Sequence, residues 1–226
     1  MLTLFIQTHR FFKDQALYPL LSATWLAGSL LIGRIYLSGS GGYIFLIWNL
    51  FLAWLPYLSS LWALSLHKRY PRQWAVLLLP GLLWLAFFPN APYLITDFWH
   101  LASRPPIPVW YDIGLLSAFA WAGLFLAVFS LRIMQTLVRD FTGPAASWLF
   151  VAGVAGLSGL GVYLGRFLRW NSWDLLINPQ AVLADVLTRL IDPLSHLQTF
   201  GVTFFFAAFL LVCYLTITAG PAPERS

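Results

Sequence analysis

Asp97 and His100, three residues apart, can share a proton, and Arg166 and Arg169, also three apart, can grip a phosphate or carboxylate with forked hydrogen bonds. The first pair belongs to a polar string running from Pro89-Asn90-Ala91-Pro92-Tyr93 to His100. The second belongs to another, from Gly165-Arg166 through Arg169-Trp170-Asn171-Ser172-Trp173 to Asp174. Both interrupt a strongly apolar chain. Ionisable groups at a membrane boundary are costly to hold there, so such a cluster is by default a functional-site hypothesis. The compatible chemistry is transfer or hydrolysis, with Asp97 as base, His100 as its proton partner and the two arginines as an anion clamp. Asn90, Tyr93, Asn171 and Asp174 complete the candidate binding set.

Pro89 and Pro92 lack amide hydrogens, so a continuous helix would leave the carbonyls of Leu85 and Phe88 without donors. Pro92 also disfavours helical geometry at Ala91, and a break near Asn90 follows. It falls roughly 22 Å into a span starting at Trp74. If a second half-helix starts with Pro92 at its first position, Tyr93, Asp97 and His100 share one of its faces. The alternative is a packing kink in which Asn90 bonds loose carbonyls. As a metal signal the string is weak: a zinc site usually wants three protein ligands, and only Asp174 or His196 could join Asp97 and His100. We assign no metal and no cofactor.

The second string follows a run of small residues that includes Ala152, Gly153, Ala155, Gly156, Gly159, Gly161 and Gly165, the spacing of close helix packing. Its arginines can also be read as snorkelling to water while tryptophans anchor the helix end, or as pairing with Asp97, Asp112 or Asp174. Asp112, in Trp110-Tyr111-Asp112, is accounted for by the positive amino terminus of the fourth span.

These residues need elements to hold them. Of 226 residues 60% are hydrophobic and 9% charged, and the mean hydropathy is +0.76. This excludes an ordinary soluble domain. Six apolar runs reach the roughly 20 residues needed to cross a bilayer: Tyr18 to Leu37, Tyr43 to Leu66, Trp74 to about Ile95, Ile113 to Val138, Ala145 to Phe167, and Phe200 to Ala219. The segment 179–192 reads as an amphipathic surface helix, with Val182, Leu183, Val186, Leu187, Leu190 and Ile191 on one stripe that Leu194 continues, and Asp185, Arg189 and Asp192 opposite. Pro193 ends or kinks it. The expectation is a single all-α integral membrane bundle of six transmembrane helices plus an extracytoplasmic amphipathic helix. The loop from Ala102 to Val109, with three prolines, is expected to be stiff and extended. Cys213 is alone, so no intramolecular disulfide can form.

Six spans place both termini on one side. Arg10, Lys13, Lys68, Arg69, Arg72, Arg132, Arg139 and Arg225 lie there, against Arg34, Arg104, Arg166, Arg169 and Arg189 opposite. The excess predicts cytoplasmic termini and both strings on the outer face. The net charge of +5 thus reflects topology and calls for no nucleic acid.

The strings Pro89-Asn90-Ala91-Pro92-Tyr93 with Thr96-Asp97 and His100, Trp110-Tyr111-Asp112, and Arg169-Trp170-Asn171-Ser172-Trp173-Asp174 carry a resemblance. From about Leu20 to Leu215 the chain resembles a bacterial family of predicted integral membrane proteins catalogued as a domain of unknown function. The resemblance implies a multi-pass protein of a bacterial inner membrane and supplies no activity. The leading expectation is an outward-facing polar pocket that recognises or processes an anionic lipid headgroup or a lipid-linked substrate. The alternatives are a permease or ion-coupled carrier using the broken third helix, and a non-catalytic assembly factor with a membrane partner or a second copy of itself.

Overall fold

The structure is a computed structural model that describes residues 2–71, 73–103 and 105–219. Arg72, Arg104, Glu224 and Arg225, which enter the charge balance of the two faces, lie outside the described residues. Helix α1 (Leu2–Asp14) precedes α2 (Leu17–Ser38), α3 (Phe45–Arg69), α4 (Leu78–Phe87) and the short α5 (Asn90–Tyr93). After a 3₁₀ segment, Leu94–His100, come α6 (Val109–Thr142), α7 (Pro144–Phe167), the short α8 (Asp174–Ile177), α9 (Pro179–Ile191) and α10 (Leu197–Thr218). Among the described residues six helical stretches are long and apolar enough to cross a membrane, with Trp74–His100 as the third. The chain is a multi-pass membrane protein. Helix α1 was not foreseen from the apolar runs, being too polar and short to register as a span.

Local signals set several boundaries. Gly39 follows α2 at φ 62° and returns its amide to the Ile35 carbonyl, a left-handed cap that glycine adopts without strain. Gly143, at φ 86°, separates α6 from α7, and Pro144 opens α7 at the position where a missing amide hydrogen is harmless. The fourth span starts four residues earlier than expected, at Val109. The loop before it departs from the extended form: Pro105 and Pro106 form a turn with a cis peptide between them.

Helix α6 is the central post. It packs against α2, α3, α5, the Leu94–His100 segment, α7 and α10, and Leu115, Leu116, Phe119, Leu126 and Leu131 on it are buried. Helix α10 is apolar on all sides, and Phe204, Phe205 and Val212 face outward, as a helix bordered by lipid does. The small residues of α7 do two jobs. A Cβ on Gly159 would run into the Thr203 carbonyl of α10, whereas Gly161 and Gly165 clear room for the rings of Pro89 and Tyr93. The GxxxG pair therefore receives the broken third span, and Gly159 receives the neighbouring helix.

Helix α9 occupies the place expected for a surface helix, with its residues distributed differently. The stripe splits: Val182 is buried and Val186 half-buried, while Leu183, Leu187, Leu190 and Ile191 are exposed. Asp185 and Arg189 turn toward α7 because partners wait there. The Trp170 indole N–H donates to Asp185 at 2.7 Å, and the Arg189 guanidinium lies 5.9 Å from the Tyr163 ring centre.

The α7–α10 contact predicts that Gly159→Ala destabilises the protein by about 1–3 kcal/mol, because the new methyl meets backbone that cannot move aside. Gly153→Ala, which meets nothing within 4 Å, is expected to be neutral or slightly stabilising through helix propensity. Thermal unfolding in detergent of the two variants beside the parent checks the contrast.

Candidate functional site

The break in the third span organises the site. Helix α4 ends at Phe87, and α5 resumes at Asn90, two residues earlier than an opening at Pro92 would give. The Phe88 carbonyl keeps a donor after all, because the tight turn brings the Ala91 amide to it at 3.1 Å. The Asn90 amide donates to the Phe87 carbonyl at 2.9 Å, a backbone repair of the kind considered for it, at a carbonyl other than those of Leu85 and Phe88. Its second bond goes to Ser172 Oγ at 2.7 Å, so Asn90 also joins the two polar strings.

Beyond Tyr93 the chain tightens into 3₁₀ geometry, which brings residues three apart into register. Tyr93 aligns with Thr96, and Asp97 with His100. This replaces the single helical face expected for Tyr93, Asp97 and His100. Arg166, in the last turn of α7, lies across both ladders. Its guanidinium is 4.6 Å from the Tyr93 ring centre, donates to Thr96 Oγ1 through Nε at 2.9 Å and to Asp97 Oδ1 through Nη2 at 2.7 Å, and meets His100 Nε2 at 3.1 Å. A guanidinium only donates, so His100 Nε2 is the accepting nitrogen. Asp97 is 1% exposed, and its other oxygen accepts from Asn49 Nδ2 at 2.9 Å. Asp97 and His100 are thus bridged by Arg166 instead of bonding each other.

A second ion pair stands beside this one. Arg34 binds Asp112 through Nε at 2.7 Å and Nη2 at 3.3 Å, with both side chains almost wholly buried. The Arg34 guanidinium lies 4.4 Å from the Tyr43 ring centre, and the Tyr43 hydroxyl donates to the His100 carbonyl at 3.0 Å. Asp112 does sit in the first turn of α6. Its main role is to neutralise Arg34, a pairing the sequence reading missed. The available signal was one arginine inside the first span with no partner on its own helix.

Arg169 does not join Arg166. Helix α7 stops at Phe167, and Arg169 follows at φ 61°, exposed and without a hydrogen-bond partner among the described residues. The one-turn spacing of a clamp is lost because the helix has ended. Asn171 and Asp174 bond each other: the Asn171 amide N–H reaches Asp174 Oδ2 at 2.7 Å and its side-chain nitrogen reaches the same oxygen at 3.3 Å. This closes the turn into α8. Outside the spans, hydrogen bonds from the Ser195 side chain and amide hold the Asp192 carboxyl below the ordinary carboxylate range. Among the described residues no three His, Cys, Asp or Glu side chains gather as a metal site would require.

A cavity of about 140 Å³ opens where the strings meet. Asn90 and Tyr93 of the first string line it, as do Asn171 and Ser172 of the second, with Trp48, Asn49 and Trp170 around them. Asp97, His100, Arg166, Arg169 and Asp174 are not among its lining residues. The ion pair stands behind the wall, attached to it through Asn49 and Tyr93. Asn49 and Thr96 are the site residues that sequence reasoning passed over. A lone amide at the start of an apolar span was the available sign for the first.

The fold is that of a six-span helical membrane protein, with a buried ion pair behind a cavity lined by both polar and apolar groups. The chain belongs to the family described as "Protein of unknown function (DUF1361)", which it matches over residues 48–213. That stretch contains Asn49, both strings and every cavity residue. No curated protein and no solved structure matches the chain.

Removing one partner of a buried ion pair leaves the other charge uncompensated. Asp97→Ala is therefore expected to cost about 3–5 kcal/mol, and combining it with Arg166→Met to restore a substantial part. Arg166→Lys does not rescue, since an ammonium lacks the fork that reaches Thr96, Asp97 and His100 together. A double-mutant cycle read by unfolding in detergent checks this; additive losses would contradict it.

Proposed function

We propose that the protein recognises a lipid-linked substrate, whose polar head enters the cavity between the two strings. The observation that carries this reading is the joining of the strings at one opening: Asn90 of the broken third span holds Ser172 of the α7–α8 connection, and both line the cavity. Beside it, a groove of about 460 Å³ between α7, α9 and α10 is lined almost wholly by apolar groups. A pocket with amides and hydroxyl groups in its lining, together with an apolar groove on the same helices, suits a molecule with a head and a chain.

In this reading the site faces outward in a bacterial inner membrane, with both termini cytoplasmic. The support is the excess of lysine and arginine at the opposite face. Helix α9 lies in the interface, its exposed leucines toward lipid and Asp185 and Arg189 toward the protein. Asp97 and His100 act as positioning residues. Both Asp97 oxygens are already engaged, so its carboxylate holds Arg166 and Asn49 in place and does not take a proton from substrate.

Protein purified in mild detergent is expected to retain a lipid-linked species that can be extracted and identified by mass spectrometry. Asn171→Leu combined with Ser172→Val removes groups that line the cavity. At about 1 kcal/mol for each hydrogen bond lost, retention should fall roughly tenfold or more. Equal retention by parent and variant, with both folded, would refute the reading.

A further inference from the structure

The three carboxamides lining the cavity are oriented by what they already bind. Asn49 Nδ2 donates to the Asp97 carboxylate at 2.9 Å, Asn90 Nδ2 to the Phe87 carbonyl at 2.9 Å, and Asn171 Nδ2 to the Asp174 carboxylate at 3.3 Å. Each partner can only accept, so the nitrogen must face it in every case. Each amide is left with a carbonyl oxygen that accepts from no other described residue. The polar lining therefore offers three free acceptors, beside the second N–H that Asn49 and Asn171 each retain. The lining residues include no cation, and Arg166, the nearest guanidinium, is held by Asp97 behind the wall. An anionic head would meet carbonyl oxygens with no charge to compensate it. A cationic head would donate, yet the lining residues include no carboxylate, and Asp97 is neutralised by Arg166.

Resting on the reading of this end as a lipid-linked substrate site, we propose that the head group is an uncharged sugar and that its lipid chain lies in the α7–α9–α10 groove. Sugar hydroxyls supply the donors that three amide oxygens need and accept in turn from the Ser172 hydroxyl. The apolar C–H faces of the ring pack on the indoles of Trp48 and Trp170, which flank the amides. Head and chain sites border the same two helices. Leu160 of α7 lines the groove and Gly161 the cavity; Val186 of α9 lines the groove and Val182, one turn earlier, the cavity. Gly153 and Gly156 leave open space where a side chain would narrow the groove.

The test is native mass spectrometry of the purified full chain titrated with glucosyl diacylglycerol, phosphatidylglycerol and phosphatidylethanolamine of matched acyl chains. The glucosyl lipid is expected to bind about tenfold or more tightly than either phospholipid. Asn90→Leu should abolish that preference, as should Trp48→Ala, whose half-exposed ring can be removed without loss of fold. Gly156→Phe, which blocks the groove, should weaken all three lipids together. A preference for either phospholipid, still sensitive to Gly156→Phe, overturns the sugar assignment and leaves the lipid-linked reading standing. Binding of none, or binding untouched by Gly156→Phe and Asn90→Leu alike, overturns both.

Discussion

Charge at this end of the bundle is held in arginine–aspartate pairs, and the arrangement of the helices depends on making those pairs. Arg166 reaches Asp97, Arg34 reaches Asp112, and Arg189 reaches Asp185. Each guanidinium also lies near a tyrosine ring: Tyr93, Tyr43 and Tyr163 in turn. An unpaired charge cannot be held in such surroundings without large cost, so each buried pair constrains which elements become neighbours. Arg34 and Asp112 join α2 to α6. Arg166 and Asp97 join α7 to the end of the third span, and Asn49 brings α3 to the same carboxylate. The Tyr43 hydroxyl on the His100 carbonyl then connects the two buried pairs. The Arg189–Asp185 pair, partly exposed and within one helix, contributes less to stability and joins no two elements.

The break at Pro89 serves the same constraint. A continuous α-helix through Asp97 would place His100 about 60° off the line of Asp97, and Thr96 equally far off that of Tyr93. The 3₁₀ segment aligns Asp97 with His100 and Tyr93 with Thr96, so one guanidinium meets all four. Close approach then needs space in the neighbours. Gly165 leaves room for the Tyr93 ring, Gly161 for Pro89, and Gly123 of α6 for the Ala91 carbonyl. A larger side chain at any of these would push the broken segment away from Arg166. The glycines of α7 matter here for the ion pair they allow, besides the helix packing their spacing announces.

Much of this was legible in the chain, and the divisions fall along physical lines. Span number and the break near Asn90 follow from hydropathy and from proline's missing amide hydrogen, which are local properties. The amide repair by Asn90 was legible for the same reason. Partner choice was legible only as a set of alternatives, among them the pairing of Arg166 with Asp97. Arg166 and Arg169 share a helical spacing on paper, and only the end of α7 at Phe167 separates them. Arg34 and Asp112 are 78 positions apart, and nothing local to either names the other. The stripes read on 179–192 did not give the direction of α9, because Asp185 and Arg189 meet Trp170, beyond the end of α7, and Tyr163 on α7.

Which groups remain for a ligand follows from which have already found partners. Counting ionisable residues in the strings points to an anion site, since two arginines outnumber what anchoring requires. Pairing reverses the inference: Asp97 neutralises Arg166, Asp174 closes a turn with Asn171, and Arg169 lies outside the cavity lining. What lines the opening is uncharged: three amides, two hydroxyl groups and two indoles, set among apolar residues such as Leu52, Leu164 and Val182. The buried charges still act on it, because the Asp97 carboxylate draws the Asn49 nitrogen toward itself and so presents that amide by its acceptor end. The ion pair thus sets the polarity of the cavity without entering it. In the proposed reading, an uncharged opening with free amide oxygens favours a hydroxyl-bearing head over the anion that the sequence alone invites.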